Sequence, residues 1–354
     1  MTLINLDELT DLMPLRRFQI EELLIAPQLA DQAEDLKREN VIWSYEIRYP
    51  EGGWNPLEEP LELRSLEDLE TFPASFLNRI ESLTVYGARV GSDGFNYWIE
   101  GDRNAKVHPD LYIHYWDAEE PEKLEDGVIT EIGMLKDLTG LKQLRLIGQP
   151  LTSLDGIQEF MDLEELEIAY CFDLKDASEV FALQGLKRLV LSGSGITSIQ
   201  GVQNLTDLKN LGICDTDVKS LEPLKECSFA LADEGFILNI AGTDIADLTP
   251  LNSIPRYERL EIWGYDAEKW LPAVEGKEIR TVLANVESNE ALEQIVLQHP
   301  ELSELHIQHS HELTDLTPLL SMENLRYVRV CSHMEQAIES LQGTGFGFEL
   351  FVEE

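Results

Sequence analysis

A motif of the form L-x-x-L-x-L, or a close variant of it, occurs nine times between Ile80 and Val330, mostly 22 or 23 residues apart. Its clearest copies are Leu141/Leu144/Leu146, Leu163/Leu166/Ile168, Leu186/Leu189/Leu191, Leu208/Leu211/Ile213, Tyr257/Leu260/Ile262 and Leu302/Leu305/Ile307. A unit this short cannot bury its own apolar face, so neighbouring units must stack around one continuous core. The repeat therefore predicts a solenoid, and it directs the search for function to a long repeated surface.

Three more apolar positions recur 10, 13 and 16 residues after the first leucine of a copy. They are Leu151/Leu154/Ile157, Ile196/Ile199/Val202, Val218/Leu221/Leu224 and Ile245/Leu248/Leu251. With phrases such as "LTSLDGI", "ITSIQGV", "IADLTPL" and "LTDLTPL", the chain resembles the short-repeat leucine-rich repeat class of bacterial internalins, most strongly over residues 137–330. This resemblance implies an α/β leucine-rich repeat solenoid, with a curved parallel sheet on the concave side, short 3-10 or irregular segments on the convex side, and a cap at each end.

Each copy has a local physical interpretation. The L-x-L segment alternates with period two, which predicts a short strand with its leucines inward and its other residues outward. The glycines that follow several strands suit a turn with positive φ. The position that holds Asn in typical members of the class holds Gln149, Cys171, Ser194, Thr216, Thr243 or Ser310 here. We expect these side chains to hydrogen-bond the turn backbone in place of Asn.

The spacing of the repeats predicts four parts of the chain. Residues 1–75 form an N-terminal cap, partly helical around 27–40, and residues 76–136 form irregular repeats with insertions and strands at 83–85 and 111–113. Residues 137–334 form the regular repeats. Residues 335–354 form a C-terminal cap with a short helix and a last strand at 350–352. We expect twelve parallel strands, and we expect the acidic stretches 56–70 and 119–127 to be solvated connections.

The net charge of −40 disfavours nucleic acid and anionic membrane surfaces as partners, because both would repel the chain. It suits a soluble monomer, and it also suits a basic protein partner. There is no apolar run of membrane-spanning length, and the start of the chain lacks the pattern of a secretory signal. The four cysteines (Cys171, Cys214, Cys227 and Cys331) form no C-x-x-C pair, so we expect free thiols and a cytoplasmic setting.

The outward strand positions define a predicted concave face. Its acids are Asp110, Glu165, Glu167, Glu261 and Glu304, and its bases are all arginines, so its net charge is −1 and about −39 lies elsewhere. Arginine and aromatic residues without lysine are typical of protein-binding surfaces, although strands favour aromatics in any case. The predicted partner-binding residues are Tyr86, Tyr112, His114, Arg145, Arg188, Arg259, Trp263, His306, Tyr327 and Arg329.

The middle copies place small side chains on this face. They are Val190, Ser192, Gly212, Cys214, Asn239, Ala241 and Gly242. A bulky side chain of a partner could rest on such a floor, and the floor could equally be unselected filler. The residues alone leave both readings open.

Signs of chemistry are few. The phrase "HIQHSH" brings His306, His309 and His311 together, with His333 one repeat later, but a strand followed by a turn spreads these rings apart. No nucleophile, phosphate-binding or dinucleotide motif is present. We therefore expect no metal, no cofactor and no catalysis. The favoured function is a protein-protein interaction scaffold that binds through the concave face. The alternatives are an inhibitor or immunity-type protein that neutralises a basic enzyme, and an enzyme with a site in the insertions at 87–135.

Overall fold

The structure is a computed structural model, and it describes residues 11–25, 29–47, 61–63, 77, 80–86, 90–92, 97–99, 129–228, 235–308 and 312–353. The strands in these residues are β1 (Ile20–Ile25), β2 (Ile42–Ile47), β3 (Leu61–Leu63), β4 (Ser82–Tyr86), β5 (Val90–Ser92), β6 (Tyr97–Ile99), β7 (Gln143–Ile147), β8 (Glu165–Ala169), β9 (Arg188–Val190), β10 (Asn210–Gly212), β11 (Phe236–Asn239), β12 (Arg256–Glu261), β13 (Glu278–Asn285), β14 (Glu304–Gln308), β15 (Tyr327–Cys331) and β16 (Glu349–Glu353).

Twelve of these strands form one sheet, in the order β3, β4 and then β7 to β16. Every neighbouring pair in it is parallel. The predicted leucine-rich repeat solenoid is therefore confirmed. In two-stranded sheets of their own, β1 pairs with β2 in parallel and β5 pairs with β6 antiparallel.

The predicted register of the regular repeats is also confirmed. Leu144 lies opposite Leu166, Leu166 opposite Leu189, and Leu189 opposite Leu211. All four side chains are 0% exposed. Side chains along a strand point alternately to the two faces of the sheet. A shift of one residue in strand register would therefore turn every leucine toward solvent.

One predicted strand is not where the spacing put it. β4 pairs directly with β7, with Leu83 opposite Leu144 and Val85 opposite Leu146, so the predicted strand at 111–113 does not lie between them. Residues 111–113 are outside the described part of the chain. The twelfth strand is instead β3, inside the stretch 56–70 that we expected to be a solvated connection. Three alternating residues are too short a pattern to predict a strand, and β3 is identified by its pairing with β4.

The turn after each of the six strands β7 to β12 has a left-handed residue at the same place in the repeat. The residues are Gly148, Tyr170, Gly193, Asp215, Gly242 and Gly264, all with positive φ. Gly193 shows why glycine is favoured, because a Cβ there would lie 2.7 Å from Cδ1 of Tyr170. The non-glycine members adopt a conformation that L-residues rarely use, so the repeat geometry overrides the local preference.

The inner polar position bonds the backbone as expected in the described repeats, whereas Ser310 lies outside the described residues. The Gln149 side chain donates to the carbonyls of Val85 and Ile147, and the Cys171 thiol reaches those of Leu146 and Ala169. Gln149 and Cys171 thus tie neighbouring strands together. Thr216 and Thr243 donate to Ile213 and Ile240, within their own repeat. The shorter hydroxyl side chains close a turn instead of bridging two repeats.

The convex side consists mainly of 3-10 segments, as predicted. In the described regular repeats they are Ile157–Glu159, Ser178–Ala182, Val202–Asn204, Glu222–Glu226, Thr249–Ser253, Leu271–Val274 and Thr317–Ser321. A Ser or Asp side chain precedes several of them and accepts a backbone N–H two residues later, as Asp247 does from Thr249 and Asp315 from Thr317. These bonds satisfy a backbone donor at the start of the segment.

Two repeats depart from this pattern, because their convex segments include α-helix: the short Ala267–Trp270 in one, and Asn289–Gln298 in the next. The Ser288 hydroxyl caps the second helix by accepting the Ala291 N–H at 3.1 Å. Leu292 and Ile295 are buried, three residues apart on one helical face. An N-cap followed by an apolar stripe is a helix signal that the repeat pattern masked.

Helical segments also lie near both ends of the chain. Helix Ala30–Arg38 connects β1 to β2, inside the predicted helical stretch 27–40, and its Ala33 and Leu36 are 0% exposed. A short helix, Glu335–Glu339, precedes β16. Within the described residues, no helix has both the length and the apolar composition to cross a bilayer.

Candidate functional site

The concave face is defined here by the outward side chains of β4 and of β7 to β16, together with the residue that follows each second inward side chain. The register aligns these residues in three columns, so positions from different repeats become neighbours about 4.8 Å apart. No lysine occupies an outward position on these described strands.

Glu167 is the centre of a charge cluster on this face. Its side chain is 6% exposed, and its carboxylate lies 2.9 Å from Arg188 and 3.6 Å from Arg145. Both arginines come from adjacent strands, β9 and β7. The cluster therefore turns guanidinium groups toward solvent and keeps the carboxylate below them.

A second cluster is built around Glu261 on β12. Its carboxylate lies 2.7 Å from Nε of Arg259 and accepts a hydrogen bond from the Asn239 amide at 2.6 Å. The Asn239 oxygen in turn accepts the Ala241 N–H. Glu261 is therefore held from two sides and is itself almost fully buried.

Between these two clusters, the face has a depression of about 340 Å³ above β10. Arg188 and Glu167 line one side of it, and Arg259 and Glu261 line the other. The floor includes Gly212, part of the predicted floor of small side chains. The structure thus places four of the seven predicted floor residues and two arginines around one depression, whereas the sequence had suggested them only as separate features. The four are Val190, Ser192, Gly212 and Asn239.

His306 lies two strands beyond Glu261, opposite Leu283 and Arg329. It is 9% exposed, and its Nε2 lies 2.6 Å from the Glu304 carboxylate. Burial lowers the pKa of His306, Arg329 and Arg259 lower it further, and Glu304 opposes them. His306 is therefore a buried part of the face, where the sequence had predicted a contact residue.

Tyr327, Arg329 and Phe351 form an aromatic patch at the C-terminal end of the face. The Arg329 guanidinium carbon lies 5.2 Å from the centre of the Phe351 ring, and the Tyr327 and Phe351 rings are 6.2 Å apart. Tyr327 and Phe351 are both exposed. Sequence reasoning missed Phe351, although its outward position between the inward residues Leu350 and Val352 could have revealed it.

Trp263 is half-buried, and it lies across the neighbouring repeat. A Cβ on Gly242 would be 3.4 Å from Cη2 of the Trp263 ring, so the indole lies beside the backbone of this glycine. Trp263 follows Arg259 and Glu261 on the outward side, as predicted. Part of its area packs against the sheet, and the remainder is available to a partner.

Three predicted partner-binding residues have no described side chain. Only the backbone of Tyr86, at the end of β4, is described, and Tyr112 and His114 lie outside the described residues. His309 and His311 lie outside them as well. In the part of the chain that is described, no group of three or more His, Cys, Asp and Glu residues has the arrangement of a metal site.

A second cavity, of about 550 Å³, lies on the helical side of the solenoid, away from the concave face. Helices Ala267–Trp270 and Asn289–Gln298 border it, and its charged residues are all acidic: Asp266, Glu268, Glu275, Glu287 and Glu290. Burial raises the pKa of Glu287, whose carboxylate accepts the Ala267 N–H. This carboxylate caps a helix, which is a structural role.

Solved structures of internalins are similar to this chain. An internalin (InlF) from Listeria monocytogenes has a TM-score of 0.46 and 17% identity, over 84% of this chain and 83% of that one. Internalin C2 from the same species has a TM-score of 0.37 and 22% identity, over 57% and 76%. The functional domain of InlJ from Listeria monocytogenes has a TM-score of 0.37 and 13% identity, over 62% and 50%. No family model matches the chain, and no curated protein matches it.

Proposed function

We propose that this protein is a non-catalytic binding module that holds a protein partner on its concave face. The observation that carries this proposal is the composition of that face. Arg145, Arg188, Arg259 and Arg329 accompany Trp263, Tyr327 and Phe351, and lysine is absent from the described outward positions. Arginine, tryptophan and tyrosine dominate binding hot spots, whereas lysine is depleted at interface cores.

The packing of these side chains supports the same function. Glu167 and Glu261 hold three of the arginines by ion pairs, and Phe351 holds the fourth by a cation–π contact. A side chain fixed before binding loses less conformational entropy when the partner arrives. The face is therefore partly preorganised for a partner.

The test is a pair of substitutions on this face. A partner captured from the native host and identified by mass spectrometry is titrated by calorimetry against the Trp263→Ala and Arg329→Ala variants. We expect each variant to lose about 1–3 kcal/mol of binding free energy. Lys136→Ala, an exposed substitution outside the face, is the matched control, and thermal melts check folding. Unchanged affinity in both variants would move the binding site to the insertions at 87–135 or to the acidic convex side.

A second candidate function is inhibition of a basic enzyme, as in an immunity-type protein. The net charge of −40 favours it, because nearly all of this charge lies off the concave face and would attract a basic protein over a long range. Salt distinguishes the two functions. Association driven by the overall field weakens steeply as ionic strength rises, whereas docking on the concave face depends on it less.

Localisation, oligomeric state and excluded partner classes are also part of the proposal. We place the protein in the cytoplasm as a monomer, since four free thiols suit a reducing compartment. We propose neither nucleic acid nor membrane as a partner, because of the charge. An enzymatic site at 87–135 remains the third alternative, and activity or a bound nucleotide in the purified protein would favour it.

A further inference from the structure

The depression above β10 has a volume of about 340 Å³, within the size range of pockets that hold small ligands or single side chains. Its floor is Gly212, at the central outward position of the strand. Gly212 does not have a left-handed φ, so the backbone does not require glycine there. Its Cβ would lie 3.2 and 3.3 Å from the two γ-carbons of Val190. Glycine inside a strand weakens it, and often marks a place where a ligand approaches closely.

The wall of the depression holds a buried hydroxyl that has no partner. Ser192 is 3% exposed and lines the depression, and its Oγ lies 3.6 Å from the position of a Gly212 Cβ. Among the described residues, nothing hydrogen-bonds this hydroxyl, and the same holds for the side-chain amide of Asn210 beside it. Buried polar groups in native proteins are almost always bonded, which applies to Ser192, whereas Asn210 is half-buried; one occupant could bond both groups.

The lining of this depression holds two arginines and two glutamates, so its formal charge is balanced, but the arginines are more exposed than the glutamates. The side chains of Arg188 and Arg259 are 28% and 32% exposed, whereas those of Glu167 and Glu261 are 6% and 5% exposed. The carboxylates are already ion-paired, so an incoming group meets mainly guanidinium N–H donors. A cationic occupant would meet the guanidinium groups before the buried carboxylates, and an apolar one would leave Ser192 and Asn210 unbonded.

We propose that this depression binds the carboxylate of an Asp or Glu side chain from the partner protein. Arginine forks match carboxylate geometry, and Ser192 and Asn210 supply further donors. Gly212 leaves space for the side chain to reach the sheet. This inference rests on the proposed function and adds to it the chemistry of the partner: an acidic loop docks at the centre of the concave face, while the aromatic patch holds its flank.

The direct test uses a small probe and no partner. Protein labelled with nitrogen-15 in arginine is titrated with N-acetyl-aspartate amide, and the Nε–H signals of Arg188 and Arg259 are followed by NMR. We expect saturable shifts in both, and at least about tenfold weaker binding of N-acetyl-asparagine amide, since the charge-assisted bonds are lost. The Arg326 signal, off the face, should stay in place. Equal binding of the two probes, or no saturable shift, would overturn the proposal.

Two variants localise the probe. Gly212→Leu should abolish the shifts by filling the depression, and Ser192→Ala should weaken probe binding several-fold while changing the volume little. Thermal melts check folding, and Ser192→Ala remains informative if Gly212→Leu is unstable. Shifts that persist unchanged in Ser192→Ala and in a folded Gly212→Leu variant place the probe elsewhere and refute the assignment.

The captured partner separates this inference from the proposed function. If Trp263→Ala weakens the complex and Ser192→Ala does not, the concave face binds the partner but the depression does not hold its carboxylate. If Ser192→Ala, Trp263→Ala and Arg329→Ala all leave affinity unchanged, the proposed function fails as well. We expect all three variants to weaken the complex.

Discussion

Glu261 lies beneath Arg259, with its carboxylate 2.7 Å from the guanidinium Nε and its side chain only 5% exposed. The two residues belong to one strand, two positions apart, so both project from the same face. A buried carboxylate is tolerated only where ion pairs and hydrogen bonds compensate for the lost water, and here Arg259 and Asn239 do so. This pair therefore shapes the concave face and also stabilises it.

Substitution of Glu261 by Gln should destabilise the protein by about 1–3 kcal/mol, because two charge-assisted contacts are weakened in a buried place. Urea denaturation measures this change in the free energy of unfolding. Glu258→Gln on the same strand is the matched control. It pairs with the more exposed Arg280 at 2.8 Å, and it should cost less than about 1 kcal/mol. Equal losses in the two variants would contradict the compensating role of Arg259 and Asn239.

Leu189→Ala should reduce the free energy of unfolding by about 2–5 kcal/mol, through lost burial and the cavity that remains. Leu189 is 0% exposed in the centre of the inward ladder. Leu297→Ala, at a leucine that is 73% exposed, should change stability little. A small effect of Leu189→Ala would mean that the solenoid collapses into the cavity more readily than its register suggests.

The four thiols should differ in their reaction with an alkylating reagent. Burial raises the pKa of the Cys171 thiol to about 12 and that of Cys227 to about 11, so few thiolates form near neutral pH. Cys331 is partly exposed and should be alkylated before Cys171, as mapped by mass spectrometry. Denatured protein should react at all four sites. An intramolecular disulfide in a non-reducing mass measurement would refute the cytoplasmic assignment.

His299 should make stability depend on pH. It is 0% exposed, stacks on Trp270 with ring centres 6.4 Å apart, and has Glu301 3.5 Å from Nδ1. Burial lowers its pKa, with Glu301 opposing, so the unfolded state binds the proton more readily. Stability should therefore fall as pH decreases below about 6.5, the usual pKa of histidine, toward the lower folded value.

Thermal melts across that pH range test this dependence on His299. The His299→Gln variant should lose less stability on acidification than the unmodified protein. His333→Gln, at an exposed histidine, should behave like the unmodified protein. An identical pH profile in the His299→Gln variant would assign the acid sensitivity to the carboxylates.

The sequence predicted the regular repeats well because the residue patterns that specify them lie within single repeats. Alternation within three residues turns Leu189 and Leu191 inward, and the 22- or 23-residue period brings each copy next to the one before it. The polar side chain after the strand bonds nearby backbone, so the hydrogen bonds of Thr216 and Thr243 to the turn could also be predicted. The helix Asn289–Gln298 was missed because the repeat pattern outweighed the Ser288 N-cap signal.

The sequence by itself thus determined the solenoid, its register and which residues face outward, since periodicity and burial act within one repeat. Only the tertiary structure decided which strand neighbours β4, and how the outward residues combine. Glu167 is buried because arginines from two other strands cover it, and Ser192 faces the depression because Gly212 has no side chain. These contacts join residues about one repeat apart or more, across strands whose pairing no local pattern specifies.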